Sequence, residues 1–106
     1  MSGAFFRVDK FVVPAAAREE FLVNVMMTHK LLEAQDGFID HKVLEQVAGP
    51  GEFNFVTIAQ WESADVVKHV RAAVAAAHKA ANFDPQEMFA RLGIRADMAS
   101  YKPVAA

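Results

Sequence analysis

The chain is expected to form one α+β domain of the ferredoxin-like kind, a split βαβ antiparallel sheet with helices on one face. Three observations predict this. Short runs rich in Phe, Val and Ile alternate with stretches of helical period in the order strand, helix, strand, strand, helix, strand. The two middle strands are joined through Ala-Gly-Pro-Gly-Glu, a turn composition that argues for a hairpin. The 106 residues contain no linker, repeat or low-complexity stretch, so residues 1–106 make a single domain, with a core over about 5–101.

Residues 4–13 (AFFRVDKFVV) suit a pleated surface. Both alternating sets are substantially apolar, Phe5, Arg7, Asp9, Phe11 and Val13 on one side and Phe6, Val8, Lys10 and Val12 on the other. A sheet of that kind is covered on both faces. Pro14 ends the strand and suits a helix entry. Residues 16–35 form the first helix, with Phe21, Leu22, Val25, Met26, His29 and Leu32 on one stripe and Arg18, Glu19, Glu20 and Lys30 off it. The Met26-Met27 pair is expected as core filler. Gly37 stops the helix.

Residues 38–47 and 52–62 are the hairpin strands. Ser63 then opens the second helix, its hydroxyl placed to accept from an unpaired amide. Val66, Val70, Ala73, Val74 and Ala77 mark the buried side of that helix. Asn-Phe-Asp-Pro at 82–85 breaks it, residues 86–92 form a short further helix, and residues 94–101 are the last strand, stopped by Pro103.

Composition excludes several classes. With a formal net charge of -2 and no basic run, nothing tracks a phosphate backbone, so nucleic acid is not an expected partner. Zero Cys excludes a disulfide framework, thiol catalysis and thiolate metal sites. Arg7, Asp9 and Lys10 interrupt the first apolar stretch, which therefore lacks a signal-peptide core, and no run reaches membrane-spanning length. A soluble, cytoplasmic protein without a membrane partner is expected. The histidines are scattered with no i, i+4 pair, so no metal site is expected. Hydrophobic residues make up 54% of the chain, including nine Phe and five Met, more than a small monomer readily covers. Helices on one face leave the other sheet face bare, and a second copy can cover it. A homodimer is the expectation.

The order strand-Pro, Arg-Glu-Glu-Phe opening a helix, Asp-Gly-Phe-Ile-Asp-His-Lys-Val-Leu-Glu-Gln, then a strand closing on Trp-Glu-Ser before a His-bearing helix resembles the antibiotic biosynthesis monooxygenase family. The resemblance spans about residues 5–101. It implies a dimeric α+β barrel in which two ferredoxin-like sheets face each other. It also implies one of several activities. Some members oxidise polyphenolic or quinol-like aromatics with molecular oxygen and no metal or flavin, and others degrade haem. By this resemblance His69 matches a helix His common in the family, and Trp61 a strand-end Trp. Haem-degrading members use an Asn near the end of the first strand, a Trp on the second helix and a His further along it. Here Arg7, Val8 and Asp9 occupy the first position and the Trp position falls near Val70, so only His78 has a counterpart. Bound haem needs only one axial ligand.

The expected function is accordingly a cofactor-independent monooxygenase for a flat phenolic or quinol-type aromatic. A non-catalytic small-molecule-binding dimer and a haem-binding or haem-degrading protein are the alternatives. His69 is the candidate base, because an unperturbed imidazole titrates near neutrality, set against a surface His beside Lys68 and Arg71. Trp61 is either an aromatic wall for a flat substrate or a packing residue. Asn54 either hydrogen-bonds a ligand or pairs with a neighbouring strand. Arg7 either stabilises an oxyanion or makes a salt bridge. His29 is a core His or a pocket residue, His78 lines the pocket or ends the buried helix face, and His41 is exposed or at the dimer interface.

Overall fold

The computed structural model describes residues 4–104; the ends of the expected domain, residues 1–3 and 105–106, lie outside the described residues. The elements run β1 (Phe5–Val12), a 3-10 turn (Ala15–Ala17), α1 (Arg18–Glu33), β2 (Phe38–Glu45), β3 (Phe55–Trp61), α2 (Ala64–Ala80), α3 (Pro85–Leu92) and β4 (Arg95–Tyr101). The sheet has the order β2-β3-β1-β4 with every neighbouring pair antiparallel. This is the expected ferredoxin-like α+β fold. Among the described residues no helix is long and apolar enough to cross a membrane.

Several boundaries differ from expectation for local reasons. Pro14 is followed by a tight 3-10 turn, so α1 starts at Arg18 rather than residue 16. The hairpin strands stop short at Glu45 and Phe55, leaving residues 46–54 to the connection. Ser63 occupies the position before α2 with extended backbone, yet its side chain makes no capping hydrogen bond. The cap of that kind belongs to α3, where Asp84 Oδ1 accepts from the Gln86 and Glu87 amides at 3.0 and 3.4 Å. Gly37 lies beyond the end of α1, in the turn into β2. Its φ of +88° favours glycine, and a Cβ there would sit 2.5 Å from Val66 Cγ1.

The face under the helices is set by β3, where Phe55, Thr57, Ala59 and Trp61 are all buried and the alternate residues only partly so. Their partners on β1 are Phe11, Asp9, Arg7 and Phe5. Two apolar clusters form on this face. One gathers Phe11, Val13, Ala17, Phe21, Phe55 and Ile94, with Phe11 edge-on to Phe21 at 4.9 Å. The other gathers Ala59, Trp61, Val67 and Val70, with Phe5, Leu32 and Phe38 against it. The β1–β3 register puts Asp9 and Thr57 between them, where the packing is interrupted.

Met26 and Met27 do not join the core. Both are half exposed, because the inward stripe of α1 runs through Phe21, Val25 and His29 and leaves them to its side. The sheet's other face carries Phe6, Val8, Val12, Val56 and Ile58, all partly exposed. The shortest dimension is 17 Å, the thickness of one sheet and one helix layer, and the radius of gyration is 14.4 Å against roughly 13 Å for a compact chain of this length. One hydrophobic sheet face thus lies open.

Candidate functional site

The interruption between the two clusters is a cavity of about 310 Å³ roofed by α1 and α2. The sheet supplies Arg7, Asp9, Thr57 and Trp61; α1 supplies His29 and Leu32; α2 supplies Val67, Val70, Arg71, Val74 and His78. A smaller hollow of about 180 Å³ adjoins it, shares Asp9, His29, Thr57 and His78, and ends at Phe83 and Met88. Mostly apolar walls with a few convergent polar groups are the usual make-up of a small-molecule site.

Trp61 is 1% exposed and packs edge-on to Phe38, with ring centroids 5.5 Å apart. It is core and cavity wall at once, which joins the two roles the sequence allowed. Arg7 lies at the cavity and donates to Asp9 Oδ1 and Ser100 Oγ, each at 3.3 Å. Burial pushes the Asp9 carboxyl above its ordinary range, against the opposing pull of Arg7 and then Arg71. The half-buried carboxyl is thereby held closer to neutrality than exposure would leave it.

His29 is 6% exposed. Burial first, and then the neighbouring His41, lower its pKa to about 4, with Glu33 pulling weakly the other way. Its ring is therefore neutral near pH 7. His29 Nδ1 is 2.7 Å from His41 Nδ1, and His41 Nε2 is 2.8 Å from Glu33 Oε1. His41 is not exposed: it is half-buried and reaches His29 under α1 from β2. His78 is half-buried, borders both hollows and packs edge-on to Phe83 at 5.1 Å.

Two candidates fall elsewhere. His69 is exposed and does not line the cavity. Helical period explains it: Val67, Val70, Val74 and His78 share the inward stripe, and His69 stands a third of a turn away from Val70. Asn54 is also outside the cavity. Its Oδ1 accepts from the Val13 amide and its Nδ2 donates to the Val13 carbonyl, both at 2.8 Å, so its side chain acts as a piece of neighbouring strand. Asp9, Thr57, Arg71 and the Glu33–His41 pair also belong to the site, without a functional expectation from sequence. A signal for Asp9 was present: it shares strand parity with Arg7 and with the core residue Phe11, an unusual place for two charges. Among the described residues, no group of three or more His, Cys, Asp or Glu side chains is placed to hold a metal ion.

The sequence pattern of the antibiotic biosynthesis monooxygenase family matches residues 4–82. No curated protein matches the chain. Among solved structures, SnoaB from Streptomyces nogalater, a cofactor-independent oxygenase, is similar at 18% identity over 99% of this chain and 97% of that one, with a TM-score of 0.67. The heme-degrader MhuD from Mycobacterium tuberculosis, with two hemes bound in its active site, is similar at 20% identity over 96% and 97%, with a TM-score of 0.71. A conserved protein from Methanosarcina mazei is similar at 17% identity over 93% and 91%, with a TM-score of 0.64. Identities this low speak for the fold alone. The family pattern covers well over half of the sequence, and on that ground the chain belongs to the antibiotic biosynthesis monooxygenase family.

Proposed function

We propose that this protein is an oxygenase that uses molecular oxygen, without metal or flavin, to oxidise a flat phenolic or quinol-type aromatic bound between its sheet and helices. The observation that carries this reading is the composition of the cavity. A buried indole and apolar side chains make up most of the lining, and a guanidinium, a carboxyl and a neutral imidazole share it. Membership of a monooxygenase family supports the reaction class.

The chemistry needs little from the protein. A base in the cavity, His29 or His78, removes a phenolic proton, and Arg7 steadies the resulting oxyanion. The electron-rich anion reduces oxygen directly. At a methylene between aromatic rings, two hydrogens leave, one oxygen atom enters the carbon and the other leaves as water, so the substrate supplies all four electrons. The apolar walls keep water from the peroxide that forms on the way. The working unit is a homodimer in which two open sheet faces cover one another.

Labelled oxygen tests the reading. Chelator-treated protein turning over an anthrone under ¹⁸O₂ is expected to put label into the new carbonyl at a rate above autoxidation. Unlabelled product, or a rate equal to the protein-free control, would contradict it and favour a binding protein without turnover.

Haem is the second reading, and the donor set fits it in outline. His78 offers an imidazole with no hydrogen-bond partner among the described residues, and Arg7 and Arg71 in the same lining offer cations for propionates. Bound haem would supply redox-active iron. A haem titration without a Soret shift at stoichiometric protein removes this reading.

A further inference from the structure

Three titratable side chains form a hydrogen-bonded row that ends at the cavity wall. Glu33 Oε1 is 2.8 Å from His41 Nε2, and His41 Nδ1 is 2.7 Å from His29 Nδ1. Glu33 and His29 lie one turn apart on α1, and His41 reaches them from β2, so two elements hold the row in place. Hydrogen-bond chemistry then fixes where each proton sits. An ionised Glu33 has only acceptors, so His41 donates from Nε2. A neutral His41 consequently has a bare Nδ1, which accepts, and His29 must donate from its own Nδ1. That leaves His29 Nε2 without a proton. Among the described residues it has no hydrogen-bond partner, and no sealed side-chain nitrogen or oxygen there lacks one. The atom is therefore not sealed, and the spaces that His29 lines are this cavity and the smaller hollow adjoining it.

We propose that His29 is the proton acceptor of this cavity, and that His41 and Glu33 are a relay that carries the accepted proton toward the protein surface. The proposal rests on the reading that a hydroxylated aromatic occupies the cavity. The substrate O–H bond breaks as a bond forms to His29 Nε2. The Nδ1–H bond of His29 breaks as an Nδ1–H bond forms on His41. No electrons are exchanged in this step. His29 finishes neutral in its other tautomer, the substrate is left as an anion, and the positive charge rests on His41 against the Glu33 carboxylate.

The arrangement answers a difficulty that His29 alone would meet. Burial disfavours a cation on His29, so alone it would be a weak base. The relay moves the charge to a ring whose side chain is 25% exposed, beside a carboxylate that is 48% exposed. The other charged or titratable groups on the cavity wall are Arg7 and Asp9 from β1 and Arg71 and His78 from α2, and none hydrogen-bonds to His29. His29 is the catalytic group; His41 and Glu33 act through it.

Nitrogen-15 NMR of the histidine rings in the full chain tests the assignment without any substrate. Near pH 7, His29 is expected protonated at Nδ1 and bare at Nε2, with His41 protonated at Nε2. His29 found protonated at Nε2 overturns the relay. His41→Phe is expected to abolish the Nδ1–H preference of His29. Glu33→Gln, at an exposed position where folding is not at stake, is expected to lower kcat for a naphthoquinol at least tenfold and leave KM within twofold. An unchanged rate and pH profile in Glu33→Gln overturns the relay while leaving the oxygenase reading intact. Failure of that reading looks different: the wild type takes up no oxygen, yet both tautomers are as assigned, which upholds the relay geometry.

Discussion

The side-chain amide of Asn54 closes two hydrogen bonds on Val13, and this decides what its loss should do. Asn54→Ala leaves a backbone donor and acceptor partly buried and unpaired, which costs about 1–3 kcal/mol. Chemical denaturation is expected to show that loss, with ligand affinity unchanged. His29 adds a pH dependence. Its imidazole takes a proton near pH 4 when folded, against 6.5 for an unperturbed ring. As the pH falls, the unfolded chain binds the proton first, so stability is unaffected above about pH 6.5 and declines between 6.5 and 4. A shift of that size corresponds to a decline on the order of 3 kcal/mol. Urea midpoints at pH 7 and 4.5 measure it, and His29→Gln should flatten this part of the slope. At this scale the sequence was half legible. Arg7 and His29 could be named because each lies on an apolar stripe, and Trp61 and His78 through the family resemblance. The pairing of His29 with His41 could not, since it depends on how β2 sits under α1, twelve residues away in the chain.

At the scale of elements, the apolar runs and turn residues disclosed nearly everything except rotation and ends. β3 is apolar on both parities, with Phe55 and Trp61 on one and Val56 and Ile58 on the other, so its extent was legible and its buried side was not, and α2 is Ala-rich on several sides. The rotation of such a helix is uncertain by a residue, so the resemblance that singled out His69 could not be checked against the side of the helix it occupies. Ser63 shows the same limit for caps: a suitable residue in the capping position does not oblige its hydroxyl to bond. Asp84 does bond, and Asp84→Ala is expected to destabilise by about 1 kcal/mol through α3. Gly37 is the more sensitive position. Its positive φ and the Val66 methyl groups in the way both oppose a side chain. Gly37→Ala should therefore destabilise by roughly 1–3 kcal/mol, read as a fall in Tm.

For the whole molecule, the surplus of Phe and Val in the sequence and the open sheet face of the structure point to the same consequence. A slab 17 Å thick with Phe6, Val8 and Ile58 on a bare face has more apolar surface than a monomer hides well. Light scattering at micromolar concentration is expected to return twice the 11.6 kDa chain mass, and Ile58→Lys to shift it toward one chain. A single-chain mass for the unaltered protein would show that the face is tolerated in water. A cavity that activates a hydroxylated aromatic for direct reaction with oxygen should reveal itself in oxygen uptake. Metal-stripped protein would be run against naphthoquinols, anthrones and catechols beside His29→Gln and His69→Ala. Uptake above autoxidation is expected, falling at least tenfold in His29→Gln and persisting in His69→Ala. Uptake no greater than the protein-free background would contradict the oxygenase reading.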